Sequence, residues 1–86
     1  MSKYQQHNIE NWLANLISEI LGIPLSEVDR TVRFDRYGLD SVAAVSVSAE
    51  LGKHLGSELD ATLIYDYPTI SKLSRHLAET MEGAPR

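Results

Sequence analysis

Residues 9–21 read IENWLANLISEIL, and the spacing of their apolar members decides the fold class. Ile9, Trp12, Leu13, Leu16, Ile17, Ile20 and Leu21 recur at helical intervals, which gathers them into one stripe and does not suit the alternating faces of a strand. Asn8 is the expected N-cap, and Gly22 followed by Pro24 supplies the stop, so a first helix is predicted over 8–21. Downstream, residues 23–40 hold no sustained period. They predict a long connection with one short turn at 26–29, pinned to the helices by Val28, Val32, Phe34 and Leu39. Long ordered loops of this kind often carry function.

A second helix is predicted from Ser41 to Leu55, closed by Gly56. Its stripe is Ala44, Val47, Leu51 and Leu55, while Val42, Val45 and Ala49 form another on nearly the opposite side. That second stripe is either more packing surface or an exposed patch that partners read. Residues 61–66 allow one helical turn, anchored by Leu63, Ile64 and Tyr65. Tyr67-Pro68 then breaks the chain, Thr69 caps, and Ile70, Leu73, Leu77 and Met81 predict a fourth helix to residue 82, with a frayed tail over 83–86. The expected architecture is all-α: a small four-helix bundle with a long first loop and a short third helix, one domain spanning 1–86 with its ordered core at about 8–82.

The 86 residues suffice for one core only. The polar first ten residues and the short apolar runs oppose a secretory signal or membrane span, so a cytoplasmic monomer is expected. A net charge of −4 argues against nucleic-acid partners and favours basic proteins, and the predicted second helix has one Lys and no Arg to read DNA. No cysteine is present, so any thiol chemistry must be imported. His7, His54 and His76 have no metal-binding spacing and are read as exposed polar residues; no catalytic Ser-His-Asp motif is present, so no catalytic residue and no metal ligand is expected. Arg30, Arg33 and Arg36 share their loop with Asp29, Asp35 and Asp40, which reads as a compensated, solvated segment. Trp12, Phe34, Tyr65 and Tyr67 are expected in or at the edge of the core.

Tyr37-Gly38-Leu39-Asp40-Ser41 delivers a serine to the first position of a helix. Read structurally, Gly38 supplies a positive φ, Leu39 plugs the core, and Asp40 or Ser41 caps the helix. Read functionally, Ser41 is a point of attachment for a phosphate-linked group, because the N–H groups and positive end of a helix dipole stabilise a phosphodiester.

Gly38-Leu39-Asp40-Ser41, followed downstream by Asp66-Tyr67-Pro68-Thr69-Ile70 and set between the apolar helices, resembles the acyl and peptidyl carrier proteins of fatty acid, polyketide and nonribosomal peptide synthesis. The later block looks more like carriers of modular synthases. The resemblance covers nearly the whole chain. It implies that Ser41 carries 4′-phosphopantetheine, donated by coenzyme A through a phosphopantetheinyl transferase, and that the arm's thiol presents acyl thioesters to partners. These would be an acyl-loading enzyme and ketosynthase, acyltransferase or condensation-type enzymes; the carrier itself catalyses nothing. It further implies partner recognition by Leu39, Asp40, Val42, Val45 and Ala49, with Asp40 serving the transferase through its metal ion as well as capping the helix.

Two departures are notable. Val42 replaces the family's usual Leu after the serine, a loss of about 0.8 kcal/mol of burial if that site is desolvated. The second helix holds one acid, Glu50, where fatty acid carriers are strongly acidic, so recognition by basic surfaces is expected to be weaker or differently placed. An unmodified helical interaction module with the carrier fold, and a peptidyl carrier of nonribosomal peptide synthesis, are the alternative readings. Met1 and the short polar lead favour a free-standing chain.

Overall fold

A computed structural model describes residues 5–81, and within them the first helix, α1, runs Gln6–Leu21. The expected N-cap is corrected: Asn8 lies inside the helix, and Gln5 occupies the cap position without a side-chain hydrogen bond. Residues 5–8 contain no breaker, so the helix continues past Asn8, and its first turn gains a Gln6 to Glu10 side-chain bond of 2.9 Å. The apolar stripe is narrower than its seven residues. Ile9, Leu13, Ala14 and Ile17 are buried, Trp12, Leu16 and Leu21 are half-buried against the core, and Ile20 stands 42% exposed at the stripe's edge.

Two 3-10 turns, Leu25–Glu27 and Phe34–Tyr37, punctuate the long connection. The first lies one or two residues ahead of the predicted turn; the second carries no helical period that a sequence could display. Val28 and Phe34 are buried and Val32 and Leu39 half-buried, so the apolar residues do pin the segment. Backbone bonds hold it as well. Phe34 N–H donates to Pro68 C=O at 2.8 Å, Ser71 N–H donates to Arg30 C=O at 3.0 Å, and Arg33 pairs with Thr69 in an isolated antiparallel bridge. The loop thus supplies an acceptor for one of the N–H groups that the first turn of a helix leaves unpaired. A half-buried Arg30–Glu10 contact of 3.4 Å ties the same loop to α1.

Helix α2 spans Ser41–Leu55, as its period predicts, and Ala44, Val47, Leu51 and Leu55 are each at most 3% exposed. Helix α3 is Leu63–Asp66, shorter than the predicted 61–66 because Asp60 organises the residues before it into a turn. Its Oδ1 accepts from the Thr62 N–H and Oγ1, both at 2.9 Å. Helix α4 runs Ile70–Met81, with Lys72 N–H donating to the capping Oγ1 of Thr69 at 3.1 Å. The predicted extension to residue 82 and the tail beyond it lie outside the described residues.

The core gathers Ile9, Leu13 and Ile17 of α1, Val47, Leu51 and Leu55 of α2, Ile64 of α3, and Ile70, Leu73 and Leu77 of α4, with Phe34 from the loop. Each fully buried aliphatic side chain contributes about 1.5–3 kcal/mol of transfer free energy. The fold is all-α, four helices among the described residues and no strand.

The histidine reading is partly corrected. His7 is exposed, but His54 stacks on Trp12 at 4.6 Å between centroids, and His76 on Tyr67 at 4.0 Å, each with near-parallel rings. Both are half-buried, each with one ring face covered by its aromatic partner. Tyr65 is corrected too: it is 60% exposed, because in a one-turn helix Ile64 takes the inward position and the next residue lies about 100° further round.

Candidate functional site

At Gly38 the chain turns from loop to helix. Its φ of 78° closes the 3-10 turn, with its N–H donating to Asp35 C=O at 3.1 Å, a conformation that any side chain would strain. Leu39 is half-buried and packs against the core, anchoring the segment from within. Asp40 is the N-cap: its Oδ1 accepts from Ala43 N–H and its carbonyl from Ala44 N–H, both at 2.9 Å. Ser41 is therefore the first residue of α2, and it is exposed.

Helix geometry leaves the N–H groups of Ser41, Val42 and Ala43 without intrahelical acceptors, and the Asp40 carboxylate takes only the last. Two donors and the positive end of a fifteen-residue helix remain beside the Ser41 hydroxyl. An exposed primary hydroxyl next to such donors fits a phosphodiester, whose anionic oxygens need accessible donors more than a pocket.

Val42 and Val45 are 73% and 56% exposed, and Ala49 is exposed, so the second stripe of α2 is a surface patch and not further packing. Since Val42 faces solvent, its missing methylene costs the fold little. The patch runs on into an open groove of about 620 Å³ between α2 and the 56–61 segment, lined by Val45, Ala49, Gly52, Lys53, Leu59 and Ala61 among others. Glu50 and Lys53 approach at 3.9 Å, both exposed, and offset each other in charge. On the other side of the site, Arg33 bonds the Asp35 carboxylate at 3.2 Å and lowers its pKa. Thr31 does the same for Asp29 through side-chain and backbone bonds. Among the described residues no cluster of His, Asp or Glu is placed to hold a metal.

All five sequence-named recognition residues, Leu39, Asp40, Val42, Val45 and Ala49, thus fall within about two turns of Ser41 or just before it. Asp40, Val42, Val45 and Ala49 are exposed, and Leu39 is turned inward. The groove is invisible to local spacing, because it depends on how the segment after α2 folds back.

Comparison with known proteins places the chain among carriers. The family described as a phosphopantetheine attachment site matches residues 11–77. Erythronolide synthase EryA2 of Saccharopolyspora erythraea is 34% identical over 80 residues, which is 92% of this chain and 2% of that protein. Polyketide synthase PksM of Bacillus subtilis is 33% identical over 70 residues, 81% of this chain and again 2% of that protein, so the chain spans only a small part of these relatives. Among solved structures, a free-standing peptidyl carrier protein from Acinetobacter baumannii superposes with a TM-score of 0.85 at 31% identity, covering 91% of this chain and 98% of that one. An acyl carrier protein from Anabaena sp. PCC 7120 with a variant phosphopantetheinylation-site sequence gives 0.84 at 33% identity, covering 92% and 90%.

Proposed function

The chain belongs to the phosphopantetheine-attachment family of carrier domains, and on that premise we propose that the Ser41 hydroxyl is the attachment point, in a domain comprising all 86 residues. The observation that supports this reading is the exposed Ser41 at the first position of α2, with its own and the following N–H left unpaired by the helix. Members of this family hold 4′-phosphopantetheine covalently. In the transfer, the Ser41 oxygen bonds to the β-phosphorus of coenzyme A as the phosphoanhydride bond breaks. Adenosine 3′,5′-bisphosphate leaves, and the hydroxyl proton passes to a base on the transferase.

Once attached, the group supplies a terminal thiol that holds an acyl chain as a thioester. This chain's residues position and present. Asp40 fixes the start of α2 by its hydrogen bonds, and as the residue directly before the reacting serine it would draw a transferase-bound cation to its carboxylate. Val42, Val45 and Ala49 offer an apolar contact surface to the transferase and to loading, condensing or acyltransferring enzymes. With no cysteine of its own, the chain offers nothing that competes with the imported thiol for acylation. The polyketide synthases among the relatives favour a polyketide-type pathway, and a coenzyme A donor favours modification in the cytoplasm.

Incubation with coenzyme A and a broad-specificity transferase is expected to add one phosphopantetheine to the intact mass, and Ser41→Ala to abolish the gain. A wild-type chain that stays unmodified would make the unmodified interaction module the better reading.

A further inference from the structure

The loop before the site closes on itself at one side chain. The Tyr37 hydroxyl accepts a hydrogen bond from the Asp29 N–H at 2.6 Å and donates one to the Asp29 C=O at 2.7 Å. Engaging both backbone groups of a single residue fixes the phenol oxygen at one point of the loop. Asp29 is itself held, because its Oδ1 accepts from the Thr31 N–H at 2.8 Å and the Thr31 Oγ1 at 2.6 Å. Residues 29–37 therefore form a ring closed by a side chain and not by a strand or helix. Immediately after the closing residue come the Gly38 turn, the Leu39 anchor, Asp40 and Ser41.

We propose that Tyr37 is a positioning residue for modification of Ser41, its hydroxyl clasping the loop so that residues 38–41 are held in the arrangement a transferase engages. The inference rests on Ser41 being the attachment point. Phenylalanine keeps the ring and its packing but returns the Asp29 N–H and C=O to water, so the loop gains alternative conformations. Apparent affinity then falls with the fraction of molecules that remain competent, while the bound complex reacts at its former rate. The signature is a rise in KM with kcat unchanged.

Three full-length chains separate this from a loss of stability: wild type, Tyr37→Phe, and Ile17→Val, which loosens the core away from the loop. Transferase kinetics with coenzyme A are expected to show KM for the carrier raised about threefold or more in Tyr37→Phe, with kcat retained. Backbone amide exchange over residues 29–40 should be faster in the same variant. Ile17→Val, though less stable, should keep the wild-type KM. A Tyr37→Phe chain with wild-type KM, or an equal rise in Ile17→Val, overturns the inference while leaving Ser41 as the attachment point. A wild-type chain that gains no mass removes the attachment reading and this role with it.

Discussion

Ser74 sits on α4 with no accessible surface, and its hydroxyl has no hydrogen-bond partner. Burying an unpaired hydroxyl costs free energy that a methyl group does not, and alanine is the better helix former. Ser74→Ala is therefore expected to stabilise the domain by about 1 kcal/mol, read as a higher urea midpoint at unchanged slope. A lower midpoint would mean that the hydroxyl is paired. At this scale the sequence is legible only in part. Phe34 declares itself as a large apolar residue set between the charged Arg33 and Asp35, whereas Ser74 looks like any surface serine until the helix is placed. The Tyr37 clasp and the Trp12–His54 stack are equally silent, since each joins residues whose meeting depends on two segments being packed first.

Among the elements, α2 is the most fully legible, because one period writes its buried stripe and a second its exposed one. Gly52 is the exception within it. A Cβ there would lie 2.6 Å from the Ser57 carbonyl oxygen, so the glycine lets the segment after α2 fold back against the helix and form one wall of the groove. In an exposed helix, glycine to alanine gains about 1 kcal/mol; here the clash with a backbone oxygen reverses the sign. Gly52→Ala is expected to lower stability by about 1–3 kcal/mol, measured by chemical denaturation, and a stabilised variant would place residue 57 elsewhere. The turn Phe34–Tyr37 and the short α3 are poorly legible for a shared reason. Neither is long enough for a period to show, and their positions are set by the Phe34–Pro68 bond and the Asp60 turn.

At the scale of the molecule, three exposed carboxylates among the described residues, Asp29, Asp35 and Asp60, have lowered pKa values. Hydrogen bonds from Thr31 and from Arg33 account chiefly for the first two, and the backbone and hydroxyl of Thr62 for the third. A folded pKa below the unfolded one adds stability that is present above the unfolded value and is lost as pH falls through the folded value. The urea midpoint should thus be nearly flat from about pH 7 to 5 and decline below about pH 4, modestly because all three groups face solvent. A midpoint that climbs on acidification would contradict those bonds. The all-α architecture and the placement of Ser41 at the start of α2 were readable because both rest on local patterns, while the loop's fastening to the α3–α4 corner was not, because it is made by backbone atoms common to every residue.

That fastening sets a rule for anyone excising this domain. The carbonyl of Pro68 and the N–H of Ser71 secure residues 30–34, so a fragment trimmed after α3 would retain the serine and its whole helix yet lose the buttress beneath the approach to it. The minimal portable unit extends into α4, and a cloning boundary chosen by proximity to Ser41 would fall too early.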